Sequence, residues 1–448
     1  MIFFKKKYLY AYNKIKCITH TTIGNELSIL TDFHANGSYE SIANVFELFN
    51  TPNYAYMLRT TDLEKKEYEQ DVKYISKEAY NFLAKTKMYG GEIVINKIGS
   101  PGRTFLVPEL NRPVSLGMNL FMLRMKQNAK IDNITLYVFL NTYIGKLLLD
   151  RKINGTVPLS IDKQAVRSIY VPCLSSKFRT KISQIITLSN KDFTNSNELY
   201  KNAQQLLQDE LNLDSLKIST QNTTTKSLSE VFNSERLDAE YFMPKYDDIF
   251  AKLRDEKTIG ETCKIYNKNF TPEAKTEYKY IELADIGTNG NITGFTTAYG
   301  EELPTRARRI VRRGQVIISS IEGSMQSCAI VTGDYDNALC STGFYVIDSE
   351  IYNSETLLML FKSSIMQNLL QHGCTGTILS AISEDELKKI KIPFLNKNIQ
   401  QQIASHVQES FSLRKRSEEL IKTAVKAVEI AIEQNEEAAI SYITKVSP

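Results

Sequence analysis

The chain has 448 residues, 42% hydrophobic and 24% charged, with 55 Lys and Arg against 51 Asp and Glu for a net charge of +4. That is room for two or three domains of ordinary globular composition, and a charge balance that permits nucleic-acid binding without arguing for it. Six scattered cysteines without CxxC spacing and four histidines without ligand spacing argue against a disulfide scaffold and a metal site.

The N-terminus, MIFFKKKYLYAYNKIK, mixes basic and apolar residues and lacks the uninterrupted apolar core of a signal peptide. No run of about 18 apolar residues follows, so a non-membrane, cytoplasmic protein is expected. Thr22-Ile23-Gly24 comes next, then a strand over Glu92–Ile95 and a Gly-containing loop from Lys97 to Thr104. A helical segment is expected around Asn133–Lys152, then a Gly155-Thr156 turn and a short strand ending at Pro172. A long helix over 175–213 carries Leu199, Ala203, Leu206, Leu207 and Leu211 on one side. The polar, Ser- and Thr-rich stretch Asp214–Glu235 reads as a connector, and Arg236–Tyr246 (RLDAEYFMPKY) as a docking element.

The same order then returns. Thr258-Ile259-Gly260 repeats residues 22–24 at an offset of 236, and the strand Gln315–Ile318 repeats Glu92–Ile95 at 223. A helical segment over Ser354–Gln371, Gly376-Thr377 and Ile390–Pro393 follow, the last two matching the first copy at 221. The chain closes on a long helix over 397–443 with Ile421, Ala424, Val428 and Ala431 as its apolar stripe. Matches in one order at similar offsets indicate a duplication. Only RLDAEYF has no good copy before Thr22. The expected architecture is α/β with two globular domains and two long helices joined along their stripes as a spacer. The boundaries are 1–174 for the first domain, 175–213 for its long helix, 214–246 for the linker and docking segment, 247–396 for the second domain, and 397–448 for the second helix and tail.

Phosphate contacts call for Lys, Arg or turn amides, and base reading for Arg, Lys, Asn, Gln, Ser or Thr at groove edges. The densest basic cluster, Thr305–Arg313, offers Arg306, Arg308, Arg309 and Arg312, or else is a solvated strand edge. Ser324 and Gln326 lie in the loop after the following strand, and Lys97, Ser100 and Arg103 in its first-copy equivalent. Thr156 and Thr377 either face phosphates or shape turns. Lys85 and Lys87 are further candidates for backbone contact. Arg236, Asp238, Glu240 and Tyr241 are the candidates for docking a partner.

Catalytic signatures are missing. There is no Pro-Pro pair for an adenine-holding Asn/Asp-Pro-Pro-aromatic segment, no Gly-x-x-x-x-Gly-Lys-Ser/Thr and no Gly-x-Ser-x-Gly. Asp62, Glu64 and Lys66, like Glu386 and Lys388, can be arranged to look like a nuclease site, but solvated or capping roles account for them better.

The RLDAEYFMPKY segment, Gly314-Gln-Val-Ile-Ile-Ser319, Cys340-Ser-Thr-Gly-Phe344, the Gly-Thr turn leading to Ile390-Lys-Ile-Pro-Phe394 and Gln400–Val407 (QQQIASHV) together resemble the specificity subunits of type I restriction–modification enzymes. The match is clearest across 236–443 and looser but collinear across 22–213. The resemblance implies two target-recognition domains, separated by two antiparallel helices, that each read half of a split site in double-stranded DNA. It also implies a subunit with no active site and no bound cofactor. Two methylation subunits would supply S-adenosylmethionine-dependent adenine-N6 methylation, and restriction and translocase subunits would use ATP and Mg. A protein-binding helical scaffold and a self-contained methyltransferase or nuclease are the alternatives.

Overall fold

Ile93–Asn96 and Val316–Ser319 are short, mostly β-branched runs, buried at every position. A strand buried on both faces belongs in the middle of layers, and each of these sits inside a four-stranded sheet. The computed structural model describes residues 5–66, 68–69, 71–234, 236–376 and 380–446. It divides into one unit formed by residues up to 193 with those from 415 onward, and another formed by 194–414.

In the first unit one sheet runs in the order Leu27–Asp32, Leu120–Met125, Ile93–Asn96, Thr104–Leu106; the other runs Lys73–Ile75, Ala55–Leu58, Val114–Leu116, Lys87–Met88. The second unit repeats this plan strand for strand. Its sheets run Lys264–Ile265, Phe344–Asp348, Val316–Ser319, Cys328–Ile330 and Thr296–Tyr299, Glu277–Ile281, Leu339–Ser341, Ala307–Ile310. Even the one parallel pairing among the described residues of each unit recurs, Ala55–Leu58 with Val114–Leu116 and Glu277–Ile281 with Leu339–Ser341. The duplication is therefore one of topology as well as of motif.

Alternation distributes the side chains between layers. Ile93, Ile95, Phe121 and Leu123 point to the helices, whereas Val94, Leu120 and Met122 face the second sheet. In the second unit Val316, Ile318, Tyr345 and Ile347 take the first role, and Ile317, Phe344 and Val346 the second.

The helical segments expected around Asn133–Lys152 and Ser354–Gln371 are each broken in the middle. Asn133–Asn141 and Tyr143–Asp150 flank Thr142, and Ser354–Lys362 and Ser364–His372 flank Ser363. Both breakpoint residues are extended and cap the second helix, Thr142 Oγ1 accepting from Gly145 N at 3.0 Å and Ser363 Oγ from Met366 N at 3.4 Å. A Cβ on Gly145 would lie 2.1 Å from the Phe139 carbonyl oxygen, so the first break requires glycine there.

The N-terminal basic-aromatic stretch forms a helix, Lys6–Lys16, that buries Tyr8, Ala11 and Ile15. Tyr246, Ile249 and Leu253 are buried at positions 238 later, along the helix Pro244–Lys252 and its cap. The helix that follows RLDAEYF thus has a first copy in Lys6–Lys16. The counterpart of Phe242 falls on Phe4, outside the described residues.

The long helices are Ser176–Glu210 and Lys397–Glu433. The second ends before the expected residue 443. Asn435 breaks it, its side-chain oxygen accepting from Ala438 N at 2.9 Å to start a new helix, Glu436–Val446. Glu436 in turn accepts from Ser175 N at 2.7 Å, capping the first long helix. Within each unit the two helices run antiparallel. In the first, Phe178, Ile182, Ile185 and Ile186 share a core with Leu420, Ala424, Ala427, Val428 and Ala431, and Ser189 Oγ meets Ser417 Oγ at 2.9 Å. In the second, Tyr200, Ala203, Leu207 and Leu211 share one with Ile403 and Val407, and Ser196 Oγ meets Ser410 Oγ at 3.1 Å. The stripe residues Leu199, Leu206 and Ile421 are half-buried.

Candidate nucleic-acid interface

Where the central strand of each first sheet ends, the chain leaves the layers in a glycine-containing loop. In the first unit this is 97–103, with Gly99 and Gly102 at φ +88° and +86°, a region open mainly to glycine. The loop around the Gly155-Thr156 turn lies alongside it. Ile98 bridges to Ser160, and Ile161 N donates to Lys97 O at 3.1 Å. The second unit builds the same pair: Glu322 N donates to Ser380 O at 3.0 Å and Ile382 N to Ser320 O at 2.9 Å. Lys97, Ser100, Arg103 and Thr156 are thereby brought to one end of the first unit, with Ser100, Arg103 and Thr156 exposed. Thr377, in the matching second-unit loop, lies outside the described residues.

A carboxylate that sequence reasoning missed ties the first pair together. Asp32 receives Lys163 Nζ at 2.8 Å and Lys97 Nζ at 3.1 Å, one on each oxygen. Burial pushes the Asp32 carboxyl up, but the hydrogen bonds and charges of Lys163 and Lys97 together prevail and hold it below its usual range. Two ammonium groups on one carboxylate leave a net positive centre between the loops. The second unit has diverged here. Glu384 stands 221 residues after Lys163 and is held by Lys388 at 2.6 Å and Asn267 at 2.6 Å, contacts that lower its pKa. Arg103 forms an ion pair with Glu64 and lies over the Phe105 ring at 5.8 Å.

The basic cluster of the second unit is divided by the fold. Arg306 is exposed beside the loop end, its carbonyl accepting from Thr342 N at 2.8 Å while neighbouring Gly343 O accepts from Ser320 N. Arg312 is exposed in the turn at the other end of Val316–Ser319, where its N–H donates to Gln315 Oε1 at 2.8 Å, so it does not join Arg306. Arg308 is half-buried, with Nε donating to Thr305 O at 3.0 Å. Arg309 is buried. Alternation along Ala307–Ile310 turns it inward, where it donates to Phe344 O and lies over Tyr345 at 5.4 Å, and burial lowers its pKa. This removes Arg309 from the candidates for phosphate contact. Arg309→Ala is expected to cost about 2 kcal/mol in stability, from a lost charged hydrogen bond and lost packing. Arg306→Ala is expected to leave the thermal midpoint unchanged. Equal melting of the two variants would refute the division.

Ser324 Oγ is spent on its own turn, bonded to Ser319 Oγ at 2.8 Å and Ile321 O at 3.0 Å, whereas Gln326 is exposed. Lys85 Nζ donates to Ala35 O at 2.9 Å, and Lys87 Nζ lies over the Tyr80 ring at 4.4 Å.

The segment expected to dock a partner docks on its own unit. Arg236 forks onto Asp238 at 2.6 and 2.7 Å, donates to Cys374 O at 3.0 Å and sits over Tyr241. Tyr241 stacks on His372 at 4.1 Å. These residues and Glu240 line a cavity of about 390 Å³ that reaches Glu322 and Ser380, at the base of the second loop pair. Of the four docking candidates only Asp238 and Glu240 are exposed. Asp62 caps the Arg59 turn and Glu386 pairs with Lys389 at 2.6 Å, both ordinary structural roles. Among the described residues no three His, Cys, Asp or Glu side chains are grouped to hold a metal ion, and no helix is long and apolar enough to cross a membrane.

Two units on one sheet plan, each setting two loops side by side at the same end, define a duplicated α/β scaffold for presenting loops. Residues 252–426 match the family described as the type I restriction modification DNA specificity domain. Among solved structures, a type I restriction–modification S subunit from M. genitalium is 12% identical, covering 94% of this chain and 95% of its own, at a TM-score of 0.41. The HsdS subunit from Thermoanaerobacter tengcongensis is 13% identical over 93% and 96% at 0.29. A structure titled for complex assembly and conformational transition of the type I R-M system is 12% identical over 92% and 95% at 0.29. No curated protein sequence matches the chain.

Proposed function

We propose that the chain is the recognition subunit of a type I restriction–modification complex and reads a split DNA site, one half with the loop pair of each unit. The observation that carries this reading is the repeated loop pair, with Lys97, Lys163 and Arg103 at one and Arg306 beside the other. Exposed Ser100, Thr156 and Gln326 supply groups suited to base edges, and lysine and arginine suit phosphates. In this reading the chain binds no cofactor and catalyses nothing, and its place is the cytoplasm. Two methylation subunits transfer the methyl group from S-adenosylmethionine to adenine N6, and restriction and translocase subunits bring ATP and Mg. The long helices, at 35 and 37 residues about 52–55 Å each, set the gap between half-sites.

The test is co-expression with a methylation subunit and mapping of N6-methyladenine in host DNA. A split motif is expected, and exchanging loops 97–103 and 154–160 for those of another such subunit should change one half only. No split motif, or one indifferent to the exchange, would overturn the reading. Lys97→Ala with Lys163→Ala should weaken duplex binding by the assembled complex about tenfold and lower the salt slope by about 2, without altering the motif. An unchanged slope would confine both lysines to holding Asp32.

A further inference from the structure

A second surface lies on the first unit, away from its loops. The strands Ala55–Leu58 and Lys73–Ile75 are covered on their outer side by Ala79 and Leu83, from the helix Lys77–Phe82 and its cap. Along this layer cations and tyrosines alternate. Lys77 Nζ lies over the Tyr54 ring at 5.6 Å, Tyr54 meets Tyr80 at 5.6 Å, and Lys87 Nζ lies over Tyr80 at 4.4 Å. Tyr89 follows, 69% exposed and covered on one face by Arg124 at 5.0 Å. Arg124 is neutralised by Glu92 at 2.8 Å. Lys77 and Lys87 have no carboxylate partner among the described residues. Beside Tyr80 and Tyr89 opens a groove of about 290 Å³, reaching Pro108 and Arg112.

We propose that this strip binds an acidic segment of a protein partner, at one site per chain. Two unpaired ammonium groups held on aromatic faces call for anions, and exposed tyrosine with cations is the composition of protein interfaces. Nucleic acid fits less well. The Tyr89–Gly91 turn lies at the opposite end of Ile93–Asn96 from loop 97–103, about 13 Å along the strand, so DNA seated on the loops faces away from it. The second unit carries no equivalent. Strand pairing places Arg309 where the first unit has Lys87, and Arg309 is buried. Between Thr296–Tyr299 and Ala307–Ile310 there is no helix among the described residues to match Lys77–Phe82. The proposal goes beyond the DNA reading and does not depend on it.

The test uses the full chain and a fluorescein-labelled deca-glutamate peptide at low salt. One peptide per chain is expected at saturation. Lys77→Gln with Lys87→Gln should weaken it about fivefold or more, and Tyr89→Ala by a smaller factor, with unchanged thermal midpoints. Lys97→Ala with Lys163→Ala should leave peptide binding as it was. Peptide binding that survives the Lys77 and Lys87 changes, or that is lost with Lys97 and Lys163, would overturn the proposal. So would a single-stranded or duplex oligonucleotide that loses affinity in parallel with the peptide, since the strip would then belong to nucleic acid.

Discussion

Replacing Arg416 with methionine is expected to destabilise the first unit by about 3–5 kcal/mol, the cost of leaving a buried charge without its partner. Arg416 grips Asp192 with both arms of its guanidinium, Nε to Oδ2 at 2.6 Å and NH2 to Oδ1 at 2.5 Å. The exposures are unequal, 47% for the arginine side chain and 2% for the aspartate. Counted from the arginine, this is a surface pair worth little. Counted from the aspartate, it is a carboxylate enclosed between two helices whose charge has nowhere else to go. The second count decides, because methionine fills the arginine's apolar path while offering the carboxylate nothing. Asp192→Asn combined with Arg416→Met should recover most of the loss. Urea unfolding measures both, and a loss below about 1 kcal/mol for Arg416→Met would show that water reaches Asp192 after all.

Acidification is expected to act on the second unit through His372. This ring is stacked on Tyr241 and meets Tyr246 at 4.5 Å and Phe250 at 5.0 Å. Burial pulls its pKa down to about 4, against the upward pull of the Tyr241 carbonyl at 3.2 Å. The nearby charges of Arg236, Glu386 and Asp238 partly offset one another. Above pH 6.5 the imidazole is neutral folded or unfolded, and its contribution is fully present. As pH falls from 6.5 towards 4 the unfolded chain takes up a proton that the folded one refuses, so stability is lost across that window, by no more than about 3 kcal/mol. His372→Phe should flatten this part of the profile. Thermal melting of both proteins at pH 7.5 and 4.5 checks it, and parallel losses would sink the assignment.

Much of the architecture was legible because it is written twice. The Gly-Thr turns, the Gly-x-Val/Ile-Ile strands and the helical stripes recur in order, and buried strands of four residues leave a plain apolar mark. What escaped the sequence reading depends on contacts distant in the chain. Lys163 looks like any first-turn lysine until Asp32, 131 residues earlier, is placed beside it. Arg309 sits in a run where arginines occupy both parities of the strand, so composition could not say which one turns inward. The breaks at Thr142 and Ser363 fall inside apolar periodicity, and only the capping hydroxyls, residues common in helix interiors too, announce them. The alternating charges and aromatics of Arg236–Tyr246 read as a docking element, but this chemistry, an Arg–Asp fork and a tyrosine, serves an internal surface as readily as an external one.

The crossed serines have a practical consequence. Ser410 stands 221 residues after Ser189, and Ser417 the same distance after Ser196, yet each pairs with the other's equivalent. A substitution at a position the two halves share therefore has a twin in the other half, made in the same molecule and measured in the same tube. Twins that behave alike report what the shared scaffold demands. Twins that differ, with Lys163 against Glu384 and Lys87 against Arg309 the first to try, report where the two halves have taken up separate work.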